Sequence, residues 1–148
     1  EYLSTLASSE KDDNGKALAL VEGTFKEGDR FLLTDIDAYP EDSKTKAECK
    51  KISILNGTGP FTVRYLIPDD IENPEIEIYD NGAFIPVSGY IDGSYYVFNT
   101  DKQEFIFACL ERPASLLPVF CGVAAGTLLI LLIVLRIIKR KKARTKQS

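Results

Sequence analysis

The sequence predicts an all-β antiparallel sandwich followed by one C-terminal transmembrane α-helix. Three observations carry this. Between residues 17 and 110, eight short runs rich in Val, Ile, Phe and Tyr are separated by Gly, Pro, Asn and Asp, and several alternate apolar with polar residues. That period of two marks half-buried strands. From Leu116 to Ile138 the chain reads LLPVFCGVAAGTLLILLIVLRII, with no charge before Arg136. About twenty helical residues cover the roughly 30 Å hydrocarbon core of a bilayer. Finally, all 22 acidic residues precede Leu116, whereas seven of the 18 basic residues follow it.

Taken in order, residues 1–16 are polar, lack a sustained period and read as a flexible leader. Residues 17–110 form the sandwich. ALALVEGTF (17–25) precedes the turn Lys26-Glu27-Gly28-Asp29, and RFLLTDI (30–36) follows it. KISIL (51–55) places Ile52 and Ile54 on one face. Asn56-Gly57-Thr58-Gly59-Pro60 is a turn cluster. FTVRYLI (61–67) aligns Phe61, Val63, Tyr65 and Ile67, and EIEIY (75–79) sets Ile76 and Ile78 against Glu75 and Glu77. Asp80-Asn81-Gly82 is a hairpin-type turn into AFIPV (83–87). SYYVF (94–98) and QEFIFACL (103–110) complete seven or eight strands. Turn residues every 8–15 positions without helical periodicity argue for an antiparallel sandwich. Residues 111–115 are a juxtamembrane linker, 116–138 the membrane helix and 139–148 a basic tail.

The net charge of −4 conceals −11 before Leu116 and +7 after it. Lys and Arg flanking a span stay on the cytoplasmic side. The N-terminus is therefore expected outside the cell or in a lumen, at the plasma membrane or the endoplasmic reticulum, with the C-terminus in the cytosol. In such a compartment two cysteines most often pair. A Cys49–Cys109 disulfide is expected, worth about 4 kcal/mol in the chain-entropy picture. Parity complicates it. Cys109 shares a face with Phe105 and Phe107, whereas Cys49 is out of step with Ile52 and Ile54. Cys49 is therefore expected at the N-terminal edge of its strand or across a bulge.

Fragments of the chain resemble immunoglobulin-like domains. EGDRFLLT (27–34) looks like the turn and second strand of such a domain, and Asp92-Gly93-Ser94-Tyr95-Tyr96 is similar to the Asp-x-Gly-x-Tyr turn opening its sixth strand. NGTGPFTVRY (56–65) looks like a strand–turn–strand of divergent immunoglobulin-like repeats, including lumenal repeats of membrane nucleoporins. The family's cysteine after the tyrosine is absent, position 35 is Asp, and the chain has no Trp. The resemblance implies an immunoglobulin-like sandwich.

Catalysis has few components to draw on. The chain has no His, which removes Ser-His-Asp and Cys-His sites. The carboxylate pairs Asp35/Asp37 and Glu75/Glu77 alternate on strands and read as solvated faces, and Asp69/Asp70 sit in a turn. Asp12-Asp13-Asn14-Gly15 lacks the ligand spacing of a calcium loop. No enzyme activity, metal or cofactor is expected. Asn56-Gly57-Thr58 is an N-glycosylation triplet. Gly122 and Gly126, with Ala125, form a GxxxG face for helix packing. Arg136, Lys139, Arg140, Lys141 and Lys142 suit anionic lipid headgroups, and Arg144-Thr-Lys146-Gln-Ser resembles a dibasic retrieval signal.

These features describe a non-enzymatic, single-pass type I membrane protein that binds through its sandwich, as an accessory subunit of a larger membrane complex. Its partners are then other membrane proteins, met through the helix and the ectodomain. The acidic ectodomain excludes nucleic acid. The alternatives are a cell-surface adhesion or recognition receptor, and a lumenal or bacterial surface factor that binds carbohydrate or aids maturation.

Overall fold

Alternation of inward apolar and outward polar residues builds two five-stranded antiparallel sheets, seen in a computed structural model that describes residues 1–37, 46–112 and 133–139. Ten strands form: β1 (Tyr2–Ala7), β2 (Ala19–Phe25), β3 (Arg30–Asp35), β4 (Ala47–Leu55), β5 (Thr58–Leu66), β6 (Pro74–Asp80), β7 (Ala83–Pro86), β8 (Gly89–Asp92), β9 (Tyr95–Thr100) and β10 (Glu104–Glu111). One sheet has the order β1-β2-β5-β9-β8, the other β3-β4-β10-β6-β7. The start β1-β2-β5 matches the A-B-E order of an immunoglobulin sheet, but the rest departs from the ABED and CFG arrangement. The run 27–34 opens β3, not a second strand, and Asp92 ends β8, with Gly93-Ser94 as the turn into β9.

The inward faces meet in one core. Val21, Phe25, Phe61, Val63, Tyr65 and Phe98 come from the first sheet; Ile52, Ile76, Phe105, Phe107 and Cys109 come from the second. Phe107 is fully buried on the central strand β10 and touches Tyr65 edge-on at 4.9 Å between ring centres. Phe98 closes on both Phe105 and Phe107, at 6.1 and 5.9 Å. Such offset aromatic contacts add to simple area burial.

All eight apolar runs become strands, and two strands were not foreseen. β1 lies inside the segment read as a flexible leader and pairs with β2 from Tyr2↔Phe25 to Ala7↔Leu20. β8 is the outer strand beside β9, with all four residues exposed. Asn56-Gly57 is a two-residue link that carries the chain from one sheet to the other. Both residues have positive φ, 67° and 95°. A Cβ at Gly57 would come within 2.5 Å of the Phe25 ring, so only glycine fits there.

The expected disulfide is corrected: Cys49 and Cys109 are two free, buried thiols. Their strands are neighbours, but Cys109 pairs with Glu48, while Cys49 pairs with Ala108. Paired residues share a face and successive residues alternate, so the two sulfurs leave opposite sides of the sheet. Cys49 is the third residue of β4, near its N-terminal end.

Residues 1–113 and 114–148 are separate compact units. In the second, residues 133–139 are helical and exposed, and include Arg136 and Lys139. No helix among the described residues is long and apolar enough to cross a membrane. The expected span at 116–138 is described only from 133 onward. Gly122, Ala125, Gly126, Arg140, Lys141, Lys142 and the rest of the tail lie outside the described residues.

Truncating Phe107 to Ala removes the centre of the aromatic cluster. The expected cost is about 3–5 kcal/mol, read as a lower urea midpoint with unchanged m-value.

Candidate functional site

Polar side chains enter the sandwich interior at one end only, among the described residues. There β2, β4, β6 and β9 begin, and β1, β3, β5 and β10 end. β4 brings Glu48 and Lys50 inward, because they share parity with Ile52 and Ile54. Lys50 stands between Asp35 of β3 and Phe107 of β10. Its side chain is 8% exposed; that of Asp35 is 82% exposed. The Lys50 amine donates a hydrogen bond to Asp35 Oδ1 and lies 3.5 Å from Glu48 Oε1. From the opposite sheet, the Tyr65 hydroxyl donates to Glu48 Oε2 at 2.8 Å. A continuous polar chain therefore joins the two sheets.

Burial acts on each group. It pushes the Tyr65 hydroxyl far above the ordinary phenol range, helped by the Glu48 charge and hydrogen bond. It pushes the Cys109 thiol up to about 12, with Glu48 adding to the effect, and raises Cys49 as well. Burial alone lowers the Lys50 ammonium, but the Asp35 hydrogen bond and the Glu48 charge outweigh it and hold the group above its ordinary value. A thiol raised this far is a poor nucleophile near neutral pH.

Two adjoining clefts open beside this chain. The first, about 230 Å³, has Tyr65 and Glu48 in its lining, with Leu18, Leu66 and Pro68 as apolar walls and Asp12, Lys16 and Asp69 around it. The second, about 250 Å³, shares Glu48 and Pro68 and adds Lys46, Asp70 and Ile71. Both lie below the 300–1,000 Å³ usual for small-molecule sites. Each suits one side chain or a small group. The loop at the first cleft is rigidified by Asp12, whose Oδ1 accepts from the backbone N–H of Asn14 and Lys16 at 3.0 and 2.7 Å. Lys16 Nζ donates to Ser94 Oγ at 3.1 Å, tying the loop to the β8–β9 turn.

Asp35 and Glu75 have basic partners beyond a plain solvated face, whereas Asp69 and Asp70 are the turn residues expected. Asp35 contacts Lys50 and is not simply a solvated face residue. Glu75 lies on the outer face of β6 and forms an ion pair with Arg112. Asp69 and Asp70 are exposed, as turn residues are. Asn56 is exposed at the far end of the sandwich, and Thr58 beside it is exposed too. No group of three or more His, Cys, Asp or Glu among the described residues is arranged to hold a metal ion. The sequence reading missed Glu48, Lys50 and Tyr65 as a unit, although extending the Ile52/Ile54 parity backwards by two and four positions points to the first two. Comparison with known proteins brings no relative: no family model, no curated protein and no solved structure matches the chain.

Tyr65, Lys50, Cys49 and Cys109 all hold their protons more tightly folded than unfolded. The stability linked to such groups is full below their unfolded values and declines as pH rises past them. Those ordinary values are 9.0 for the thiols, 10.0 for Tyr65 and 10.5 for Lys50. Stability is therefore expected to be level through neutral pH and to fall from about pH 9 upward. Urea titrations across that range check it, and Tyr65→Phe should flatten the decline while costing about 1 kcal/mol at neutral pH. Both described thiols should resist alkylation in the native state near pH 8 and react once the chain is unfolded.

Proposed function

We propose that this chain is a non-enzymatic, single-pass type I membrane protein whose sandwich binds a basic segment of a membrane partner, as an accessory subunit of a larger complex. The observation that carries the proposal is the first cleft. Its apolar walls match the methylene stem of a lysine or arginine, and its carboxylates match the charged head. Asp12, Asp69 and Glu48 outnumber Lys16 around it, in a segment, residues 1–115, of net charge −11. Electrostatic complementarity of this kind speeds encounter and sets orientation.

The membrane part of the proposal rests on sequence. The stretch 116–138 spans the bilayer, and the bases from Arg136 to Lys142 fix the tail in the cytosol against anionic headgroups. Gly122, Ala125 and Gly126 form the face that meets a partner helix. Asn56, exposed in its tight link, carries a glycan where the host glycosylates. The immunoglobulin-like relationship is part of the same proposal, and the β1-β2-β5 order supports it.

Purification of the tagged full chain in mild detergent tests the reading. A stoichiometric membrane partner should come down with it. Asp12→Asn combined with Asp69→Asn should weaken that association several-fold and reduce its salt dependence. Gly122→Leu with Gly126→Leu should weaken it independently. A chain that purifies alone, or a partner retained by both double variants, overturns the proposal.

A further inference from the structure

Lys50 occupies a place where a sandwich ordinarily holds an apolar residue. It faces inward in line with Ile52 and Ile54, paired with Phe107, and it is buried. Lysine is almost never buried without a reason in its partners. Here the partner is Asp35, the residue directly paired with it across the β3–β4 ladder, and the amine touches that carboxylate. Glu48 lies on the same face two residues earlier, 3.5 Å from the amine, and is oriented by the Tyr65 hydroxyl at 2.8 Å. An amine, an acyl carbon and a second carboxylate thus meet at one point.

We propose that Asp35 and Lys50 form an autocatalytic cross-linking site, where amine and carboxyl condense to an isopeptide bond between β3 and β4. Glu48 first accepts a proton from the Lys50 ammonium and passes it to the Asp35 carboxylate, which leaves a neutral amine facing a neutral carboxyl. The nitrogen lone pair attacks Asp35 Cγ. Glu48 then carries a second proton from nitrogen to the hydroxyl on that carbon, and the hydroxyl departs as water. One C–N bond forms, one C–O bond breaks, and two charges vanish. No oxidant, reductant or added reagent takes part.

Two physical considerations favour the condensed product. Amide formation in water is uphill for free partners, but fixed partners reach effective molarities of about 10⁵–10⁸ M, and a strand ladder fixes both backbones. The Lys50 ammonium, with its side chain 8% exposed, loses most of its hydration, whereas the amide leaves no charge there. The exposed side of Asp35 gives the released water a path out. The link would also give this sandwich a covalent tie, since both of its described cysteines are free.

Mass spectrometry of the full chain decides the matter. The wild type should be lighter than its sequence by the mass of one water, and digestion should yield one branched peptide joining the Asp35 and Lys50 segments. Lys50→Arg keeps the charge and removes the nucleophile; Glu48→Gln keeps an acceptor for Tyr65 and removes the proton carrier. Both variants should have the full mass and separate peptides. Full mass in the wild type, or a lost water mapped to any other site such as Glu1, overturns the proposal. So does loss of water that persists in Lys50→Arg.

Discussion

One polar chain, from Tyr65 through Glu48 and Lys50 to Asp35, governs how the two sheets meet at their more elaborate end. Charges inside a sandwich carry a desolvation cost, and only close pairing offsets it. Each member of this chain supplies what the next lacks. Tyr65 offers a donor to Glu48, Glu48 offers a charge to Lys50, and Lys50 offers donors to both carboxylates. The inward position of Lys50 is not negotiable while Ile52 and Ile54 face the core. Shifting β4 by one residue would turn the lysine outward but expel both isoleucines. The hydrophobic register therefore imposes the buried lysine, and the polar chain makes that register tolerable.

The same register accounts for the cysteines. Cys109 falls on the inward set with Phe105 and Phe107, and Cys49 falls between Glu48 and Lys50 on the outward set. Adjacent strands are near enough for a bridge, yet the faces are wrong for one. Proximity in a sheet is a two-part condition: parity along the sequence addresses the facing, and only the ladder shows which residues are paired.

Much of the fold was legible because its core strands alternate cleanly. EIEIY and FTVRYLI announce both their type and their inward faces, and β6 and β5 lie where those runs are. The strands that escaped notice are edges. β1 reads Tyr-Leu-Ser-Thr-Leu-Ala and β8 reads Gly-Tyr-Ile-Asp; an edge strand buries little, so selection for a period of two is weak there. The site was half legible. The parity of Glu48 and Lys50 could be counted, but their meeting with Tyr65 depends on the packing of one sheet on the other. Asp35 reads as a solvated acid because it is one by exposure; only the cross-strand pairing ties it to the lysine. Loop-borne lining such as Asp12 and Asp69 comes together through chain crossings that no local pattern records.

The position of β10 has a mechanical meaning. It is the middle strand of its sheet, flanked by β4 and β6, and the chain continues from its end past Arg112. Tension transmitted along the chain from beyond residue 112 thus enters at the best-supported strand of the molecule. To draw β10 out, a load must shear two ladders together and drag Phe105 and Phe107 through the aromatic cluster. A terminal strand placed at a sheet edge would unzip one bond at a time. A strand paired on both sides resists such a load better than an edge strand does.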